Sequence, residues 1–260
     1  MSVWLFDLGN TRLKYAALRD DGSIGEVVAI AHDGGTLATD WRAALPERFE
    51  AAFIASVAAT ALRVALLDGL GQCCGRISRA TTQARFVDVD VDVDVVSGQV
   101  SIAYAQPQRL GVDRFLGLLA ARARGARPWL VVGVGTALTI DLLDDAGVHR
   151  GGRIAPSPML MRQALHARAA QLPDSGGRYV EFAADTDDAL ASGCEGAAIG
   201  LIERSLQQAT TLLGATPGLL LHGGGAPALL AHFDDAIAAP ALVLQGLARW
   251  ACAGRATANG

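Results

Sequence analysis

The sequence predicts a mixed α/β protein built from two related halves. Short apolar runs alternate with longer helical patterns, and several runs return as antiparallel hairpins, a combination typical of mixed α/β folds. A strand, a tight turn containing glycine and threonine, and a returning strand occur at 7–16 and again at 133–143. Because the two copies lie roughly half a chain apart, we expect two similar halves that face each other across a cleft.

Composition narrows the class of protein. The chain has 260 residues, of which 51% are hydrophobic and 18% are charged, so it can bury a large core. Its formal net charge is -4 and it has no run of Lys and Arg, which argues against a nucleic-acid partner. No apolar run approaches the roughly 20 residues that span a bilayer, and the N-terminus turns polar too early for a signal peptide. We therefore expect a soluble, cytoplasmic protein without a membrane partner.

In the first half, strands are predicted where short apolar runs end at glycine or polar residues. The segment FVDVDVDVDVV (86–96) alternates apolar and acidic residues, which predicts one strand with a solvated acidic face rather than a metal-binding ladder. The predicted strands are 3–8, 12–18, 27–35, 53–57 and 86–96, and the predicted helices are 36–45, 60–70 and 113–124.

In the second half, WLVVGVG (129–135) predicts a buried strand, because it is continuously apolar and is bounded by Pro128 and Thr136. The further predicted strands are 137–143, 148–154 and 219–225, and the predicted helices are 158–171, 186–213, 227–233 and 241–254. We expect the last helix to pack back on the first half.

The turn of the first hairpin carries the residue types that phosphate binding needs. In the sequence DLGNT, Asp7 ends a strand, Gly9 allows close approach of the backbone, and Asn10 and Thr11 add short polar donors. Lys14 on the returning strand can reach the same oxygens. This turn is a candidate site for phosphate groups and a divalent metal, although an ordinary hairpin turn would look similar.

The second hairpin and a later glycine run repeat this chemistry. The hairpin combines glycines, hydroxyls and a carboxylate: Gly133, Gly135, Thr136, Thr139 and Asp141. LLLHGGGAP (219–227) places three glycines after an apolar strand, where an adenine ring can lie against bare backbone. The chain contains neither the GxxxxGK[ST] sequence of a P-loop nor a GxGxxG dinucleotide fingerprint.

A third feature, the sequence LGVDR, places Asp113 where a helix begins. Asp113 is either an acid that stabilises the first helical turn or a group that acts on a substrate. Arg114 beside it presents a planar fork of donors, which suits a substrate carboxylate.

Six segments, in order along the chain, resemble the motif set of type III pantothenate kinases. They are DLGNT (7–11), YAQPQRLGVDR (104–114), GTALTID (135–141), GGRIAPS (151–157), DTDDALASG (185–193) and HGGGAP (222–227). That family belongs to the superfamily of acetate and sugar kinases, heat-shock chaperone ATPases and actin. The resemblance implies two ribonuclease H-like (actin-like) halves, 1–115 with the first phosphate hairpin and 116–260 with the second hairpin and the adenosine segment, around a central cleft.

The resemblance also implies an activity, its residues and its ions. The activity is ATP-dependent phosphorylation of pantothenate to 4′-phosphopantothenate, the first step of coenzyme A synthesis, with Asp113 as general base. ATP would contact Asp7, Gly9, Asn10, Thr11, Lys14, Gly135, Thr136, Gly223 and Gly224, and pantothenate would contact Tyr104, Gly111, Val112, Asp113, Arg114 and Thr186. Asp7 would hold Mg²⁺, and Asp141 would lie near a monovalent cation, K⁺ or NH₄⁺. Family members are homodimers, in which Thr186 acts across the subunit interface.

Three residues depart from the family's pattern. Gly133 stands where a cation-binding aspartate is common, Ser157 where a glycine is usual, and His222 where a threonine or serine is common. The five histidines of the chain show no zinc-site spacing, so we expect them at the surface or satisfied within the core.

Two other functions remain open. One is a non-catalytic regulatory factor of the same family, and the other is a kinase for another small hydroxy acid or a sugar. Asp7, Asp113 and Asp141 favour catalysis, because a binding module has no need of all three carboxylates.

Overall fold

The computed structural model describes residues 2–90 and 95–256. These residues form two compact units. The first contains the described chain up to Ala126 and again from Ala241 onward, and the second runs from Arg127 to Pro240. Within the described residues, no helix is both long enough and apolar enough to cross a bilayer.

The first unit is built on a five-stranded sheet in the order β3-β2-β1-β4-β5. The first three strands form an antiparallel meander, and β4 and β5 run parallel to β1. The elements are β1 (Val3–Leu8), β2 (Arg12–Leu18), β3 (Val28–Ala31), β4 (Phe49–Ser56), α1 (Thr60–Gly71) and β5 (Cys74–Arg79). A separate antiparallel pair, β6 (Arg85–Asp90) and β7 (Val95–Ser101), precedes a 3₁₀ turn (Pro107–Arg109) and α2 (Val112–Ala123).

One face of β1 and β2 packs in a core cluster with α1, because alternate residues of a strand point to the same side. Phe6 and Tyr15 are buried with the leucine stripe of α1, and the Tyr15 hydroxyl donates a 2.8 Å hydrogen bond to the carbonyl of Trp41. The stripe consists of Leu62, Leu66 and Leu70, spaced one helical turn apart. This packing fixes the two strands and therefore the turn that joins them.

The second unit repeats the same topology. Its sheet has the order β10-β9-β8-β11-β12, with an antiparallel meander of β8, β9 and β10 followed by two strands parallel to β8. The elements are β8 (Trp129–Val134), β9 (Ala137–Leu143), β10 (His149–Pro156), α3 (Pro158–Arg168), α4 (Thr186–Leu213), β11 (Gly218–His222), α5 (Ala226–Leu230) and β12 (Ala236–Ala238). The prediction of a mixed α/β fold with two related halves is confirmed.

The C-terminal helix α6 (Leu242–Ala256) belongs to the first unit and packs on α2. The helices approach closely at Gly246, where an added Cβ would collide with the backbone of Leu116. From the residue before Gly246, the side-chain oxygen of Gln245 accepts from Arg124 Nη2 at 3.0 Å. The boundary expected at 115/116 lies inside α2. The first segment of the first unit instead includes the whole helix and extends to Ala126.

Two local predictions are wrong. Residues 36–45 do not form a helix, because successive backbone bonds there span three residues rather than four, as in Ala43 N–H to the carbonyl of Asp40. The predicted single strand 86–96 is instead the greater part of β6 and the start of β7, which pair antiparallel; residues 91–94 lie outside the described part of the chain. The strands β5 and β12 were not predicted, since β5 is polar and half-exposed and β12 is very short.

Candidate active site

The turn between β1 and β2 presents the expected phosphate-binding residues together. Asp7 is paired with Lys14 across the two strands. The Gly9 N–H donates across the turn at 3.0 Å and closes it, and Asn10 and Thr11 lie at its exposed tip. The strand pairing thus places one carboxylate, one ammonium group and the tip of the turn at the same end of the sheet.

The carboxyl group of Asp7 has a pKa raised to about 7. Burial is the largest cause, because it disfavours the charged form; Lys14 lowers the pKa and the negative charge of Asp113 raises it. A charge acts in this way only at short range. Asp113 therefore lies within the range at which its charge acts on Asp7, although more than a hundred residues separate the two in sequence.

The start of α2 positions Asp113. Gly111 is the N-cap, so Asp113 lies in the first turn of the helix rather than capping it. A Cβ at position 111 would lie 2.5 Å from Asp113 Oδ1, so a larger residue there would displace the carboxylate. Asp113 therefore lies at the N-terminal end of a helix, where the backbone N–H groups favour negative charge.

Arg114 and Tyr104 form a pair next to Asp113. Arg114 is 7% exposed, its Nη1 donates to Tyr104 Oη at 3.3 Å, and its guanidinium carbon lies 5.9 Å from the centre of the tyrosine ring. Burying a guanidinium group is costly unless it is hydrogen-bonded or paired with an anion. The pair therefore provides donors suited to an anionic group beside Asp113.

In the second unit, the turn between β8 and β9 is held by a side chain from outside the hairpin. Gly135 N–H donates to the carbonyl of Ala137 at 3.0 Å. The Ser157 hydroxyl, 1% exposed, donates to the carbonyl of Thr136 at 3.0 Å and accepts from Leu160 N–H at 3.2 Å, which caps α3. Gly135 and Thr136 are exposed at the tip of a fixed turn.

The glycine run after β11 packs against the end of β8, close to the second turn. Gly223 has φ +93°, and an added Cβ would collide with the carbonyl oxygen of Val134. Gly225 N–H donates to that oxygen at 2.9 Å, and Gly224 is exposed. The second unit therefore places Gly223 and Gly224 next to the Gly135 turn, and glycine is required at position 223 for both conformation and space.

Asp141 does not fit the expected cation site. It is 2% exposed, and its Oδ1 lies 2.9 Å from Nε2 of the fully buried His149. At Gly133, where a second carboxylate would be needed, an added Cβ would lie 2.7 Å from Thr139 Oγ1 and 2.9 Å from His222 Nε2. The Asp141 carboxylate is thus held by a protein partner, and the neighbouring space is taken by two side chains.

Thr186 begins α4 and is exposed, and the side chain of Asp185 caps the helix by accepting from Asp188 N–H at 2.9 Å. One turn further along α4, an open apolar groove of about 760 Å³ runs between α3 and α4. It is lined by Pro156, Leu160, Met161, Ala164, Leu165, Ala189, Leu190, Gly193 and Cys194. Thr186 therefore lies near an apolar surface of the second unit.

Three residues that contact the site residues were not predicted from the sequence: His32, Ser157 and His149. His32 bonds to the carbonyl of Gly9, as Ser157 does to that of Thr136 and His149 to Asp141. A serine directly before a proline at a helix start is a helix-capping signal, so the capping role of Ser157 could have been found. The two histidine contacts carry no sequence signal.

Comparisons with known proteins agree with the motifs. A model of the family described as type III pantothenate kinase matches residues 3–208. A type III pantothenate kinase of Stenotrophomonas maltophilia (strain K279a) is 57% identical over 252 residues, which cover 96% of this chain and 98% of that protein.

Two solved structures share the fold. A protein from Campylobacter jejuni described as a Baf family transcriptional activator has a TM-score of 0.61 at 19% identity, with 97% of this chain and 98% of that chain covered. A protein from Sinorhizobium meliloti described as a 2-dehydro-3-deoxygalactonokinase has a TM-score of 0.54 at 17% identity, with 98% and 99% covered. At these identities the likeness concerns the fold alone.

Proposed function

Because the chain belongs to the type III pantothenate kinase family, we propose that it transfers the terminal phosphate of ATP to the primary hydroxyl of pantothenate. The products are ADP and 4′-phosphopantothenate, in the first step of coenzyme A synthesis. The observation that supports this reaction most is the pair of carboxylates in the first unit, where the charge of Asp113 acts on the pKa of Asp7. A phosphoryl transfer enzyme needs one carboxylate for the metal and another for the acceptor hydroxyl.

Asp113 acts as the general base. Its carboxylate accepts the proton of the hydroxyl group while the hydroxyl oxygen forms a bond to the γ-phosphorus and the bond from that phosphorus to the bridging oxygen of ADP breaks. Gly111 leaves room for the carboxylate, which lies in the first turn of α2, where the helix end favours negative charge. In a loose transition state the proton leaves late, so orientation of the hydroxyl is the larger part of this role.

Asp7 fits a ligand of Mg²⁺. Its raised pKa means that negative charge is poorly stabilised in the protein alone, and a bound cation would favour the ionised form. Among the described residues, no three His, Cys, Asp or Glu side chains form a metal cluster, so phosphate oxygens and water would complete the coordination, as Mg²⁺ prefers. When bound, Mg²⁺ neutralises charge on the β- and γ-phosphates.

The remaining nucleotide contacts come from both hairpins. In the first unit, Asn10, Thr11 and Lys14 bind phosphate oxygens, and Gly9 lets a phosphate approach the backbone closely. In the second, Thr136 binds phosphate oxygens and Gly135 leaves similar room, while Gly223 and Gly224 contact adenosine. The close packing of Gly223 on Val134 supports this assignment, because it leaves bare backbone beside the turn.

Arg114 and Tyr104 bind the carboxylate of pantothenate, and Gly111 and Val112 line the same end of α2. The 3.3 Å bond from Arg114 to Tyr104 supports this role, since it orients the guanidinium group before a substrate arrives. Pantothenol, in which an alcohol replaces the carboxylate, therefore tests the contact of Arg114 and Tyr104 with that carboxylate.

The proposal is tested by incubating the protein with ATP, Mg²⁺ and an acceptor, and detecting the phosphorylated product by mass spectrometry. We expect pantothenate to be phosphorylated about tenfold more efficiently than pantothenol, with little reaction of glucose or acetate. Arg114→Gln should remove the preference for pantothenate, whereas Arg109→Gln, an exposed arginine of the same unit, should keep it. Folded protein that forms no ADP with any acceptor would contradict the kinase and favour the regulatory factor.

The resemblance also implies a monovalent cation, K⁺ or NH₄⁺, near Asp141. Since the surroundings of Asp141 do not fit such an ion, no step is assigned to it. We expect rates in K⁺ and in Na⁺ to agree within about twofold; a large loss in Na⁺ would show that a cation binds elsewhere in the protein.

We further propose that the enzyme is a cytoplasmic homodimer and that the groove between α3 and α4 contributes to the subunit contact. The groove is apolar, and Leu165 on its rim is 44% exposed. Thr186 at the start of α4 would then act across this contact. Leu165→Glu should lower the mass measured by light scattering from dimer to monomer; an unchanged mass would exclude this face.

A further inference from the structure

The loop after β3, residues 32–36 (HDGGT), contacts the back of the first phosphate turn through two hydrogen bonds of His32, and a third bond of the same residue lies within the loop. The backbone N–H of His32 donates to the carbonyl of Thr11 at 3.0 Å. Its ring Nε2 lies 3.0 Å from the carbonyl oxygen of Gly9, and its Nδ1 accepts from Gly34 N–H at 3.2 Å.

These partners fix both the tautomer and the direction of the ring. A carbonyl oxygen only accepts, so Nε2 must carry the hydrogen that is donated to Gly9. A backbone N–H only donates, so Nδ1 must be without a hydrogen. The neutral ring protonated at Nε2 satisfies both contacts at once, and the half-buried imidazole is held at both ends.

The loop is itself stiffened by its own hydrogen bonds. Asp33 Oδ1 accepts from Gly35 N–H at 2.8 Å and from Thr36 N–H at 2.7 Å, and these bonds lower the pKa of its carboxyl group. Gly34 has φ +90°, a backbone conformation that residues with a side chain rarely adopt. The loop therefore presents His32 to the turn in one orientation.

The bond to Gly9 sets the direction of a donor in the phosphate turn. The peptide that joins Gly9 to Asn10 is planar and trans, so its carbonyl and the N–H of Asn10 point in opposite directions. Because His32 holds the Gly9 carbonyl at the back of the turn, the Asn10 N–H is directed toward its exposed side. The Gly9 N–H, in contrast, is used within the turn by the carbonyl of Arg12.

We propose that His32 is a positioning residue for ATP: by holding the Gly9 carbonyl, it aims the Asn10 N–H at a phosphate oxygen. A preoriented donor contributes to binding because no rearrangement is needed when the phosphate arrives. The inference rests on the proposed function, since it assumes that the turn binds phosphate.

Two substitutions separate the two ring contacts of His32. In His32→Gln, the side-chain amide nitrogen lies near the position of Nε2 and can still donate to Gly9. In His32→Asn, the shorter side chain places an acceptor near the position of Nδ1, so the contact with Gly34 can remain while the contact with Gly9 is lost. Each variant keeps one of the two bonds, so their thermal stabilities should fall to a similar extent.

The measurements are the KM for ATP, kcat at saturating ATP, and the affinity for Mg²⁺ and a non-hydrolysable ATP analogue by calorimetry. We expect His32→Asn to weaken ATP binding about tenfold and His32→Gln to recover most of that loss, because one hydrogen bond to a phosphate is worth about 1.4 kcal/mol. The KM for pantothenate should change by less than about twofold in both variants.

Equal ATP affinity in both variants, whether both match the wild type or both fall together with their melting temperatures, would overturn the role of His32. The calorimetric arm does not depend on turnover. A wild type that binds the ATP analogue but phosphorylates no pantothenate would therefore contradict the proposed substrate, and the Gln and Asn pair would still decide the inference. A wild type that does not bind the analogue would contradict both.

Discussion

The two hairpins have the same strand pairing around a tight turn, but the side chains before and after the turn differ. In the first, Asp7 is paired with Lys14 two residues before the turn glycine; in the second, the corresponding pair is Gly133 and Thr139. The first hairpin thus has two charges where the second has bare backbone and a hydroxyl. The two halves share the strand order and the tight turn, while the proposed metal ligand and the proposed base both belong to the first unit.

The two turns are also held from behind by different residues. His32 holds the carbonyl of Gly9 and Ser157 holds the carbonyl of Thr136, each with a 3.0 Å contact. Both come from the segment that follows the third strand of their meander. A fixed carbonyl at the back of each turn is therefore common to the two halves, and it accounts for Ser157 where the family usually has glycine.

We expect the largest loss of activity from a substitution of Asp113, the proposed base in the first unit. Asp113→Asn should lower kcat by about 10²–10⁴-fold, because a neutral amide cannot accept the proton of the hydroxyl. Its melting temperature should stay close to that of the wild type. Asp68→Asn, an exposed carboxylate on α1, is the matched control and should keep full activity. A loss of less than about threefold in Asp113→Asn would remove this residue as the base.

In the second unit, we expect substitutions of glycines with positive φ to lower the stability of the protein. Gly223→Ala combines an unfavourable positive φ with a collision at Val134, and we expect it to reduce the free energy of unfolding by about 3 kcal/mol. Gly151→Ala has φ +106° but open space around the added Cβ, so it should cost about 1 kcal/mol. Urea titrations of the two variants compare these values. Equal costs would mean that the approach of the glycine run to β8 is not tight.

In the second unit, we expect the buried carboxylate of Asp141 to stabilise the fold. Asp141→Asn should reduce the free energy of unfolding by about 1–3 kcal/mol, because it removes the charge from the buried contact with His149 although the amide oxygen can still accept. Asp235→Asn, an exposed carboxylate of the same unit, should have almost no effect on it. Melting temperatures recorded in K⁺ and in Na⁺ decide between structure and cation binding. A stabilisation by K⁺ that Asp141→Asn abolishes would restore the cation role.

We expect the smallest effect from Ser157, which holds the turn of the second hairpin as His32 holds that of the first. Ser157→Ala should cost about 1 kcal/mol of stability through loss of the α3 cap, and it should also weaken nucleotide binding, because the carbonyl of Thr136 is released. Differential scanning fluorimetry with and without the ATP analogue measures both. A stability loss without any change in nucleotide affinity would limit Ser157 to helix capping.

Much of the fold followed from the sequence, because hydrophobic periodicity is a local signal. The hairpins and the long helix α4 were predicted close to their observed bounds. Residues 36–45 were mistaken for a helix because their composition permits either a helix or repeated tight turns, and tertiary contacts such as the one from Tyr15 to the carbonyl of Trp41 favour the turns. The acidic alternation at 86–96 predicted strand structure correctly but could not show where one strand gives way to the next.

The candidate site was predictable where a short motif carries its own geometry, as in the Asp7 turn and at Gly111 before Asp113. It was not predictable where partners are distant in sequence. His32 reaches Gly9 across 23 residues, and the contact of Asp141 with His149 depends on how β9 and β10 are paired. Neither contact leaves a pattern in composition or spacing.

If Asp7 and Asp113 share one site in the first unit, the charge of Asp113 must act on the Asp7 carboxyl group. A ¹³C NMR titration of that carboxyl group in the metal-free protein measures this effect in the wild type, in Asp113→Asn and in Asp68→Asn. We expect a pKa of about 7 in the wild type, a lower pKa in Asp113→Asn because a neighbouring negative charge is removed, and no change in Asp68→Asn. A pKa of Asp7 that is the same in all three proteins would place the two carboxylates apart and contradict the mechanism.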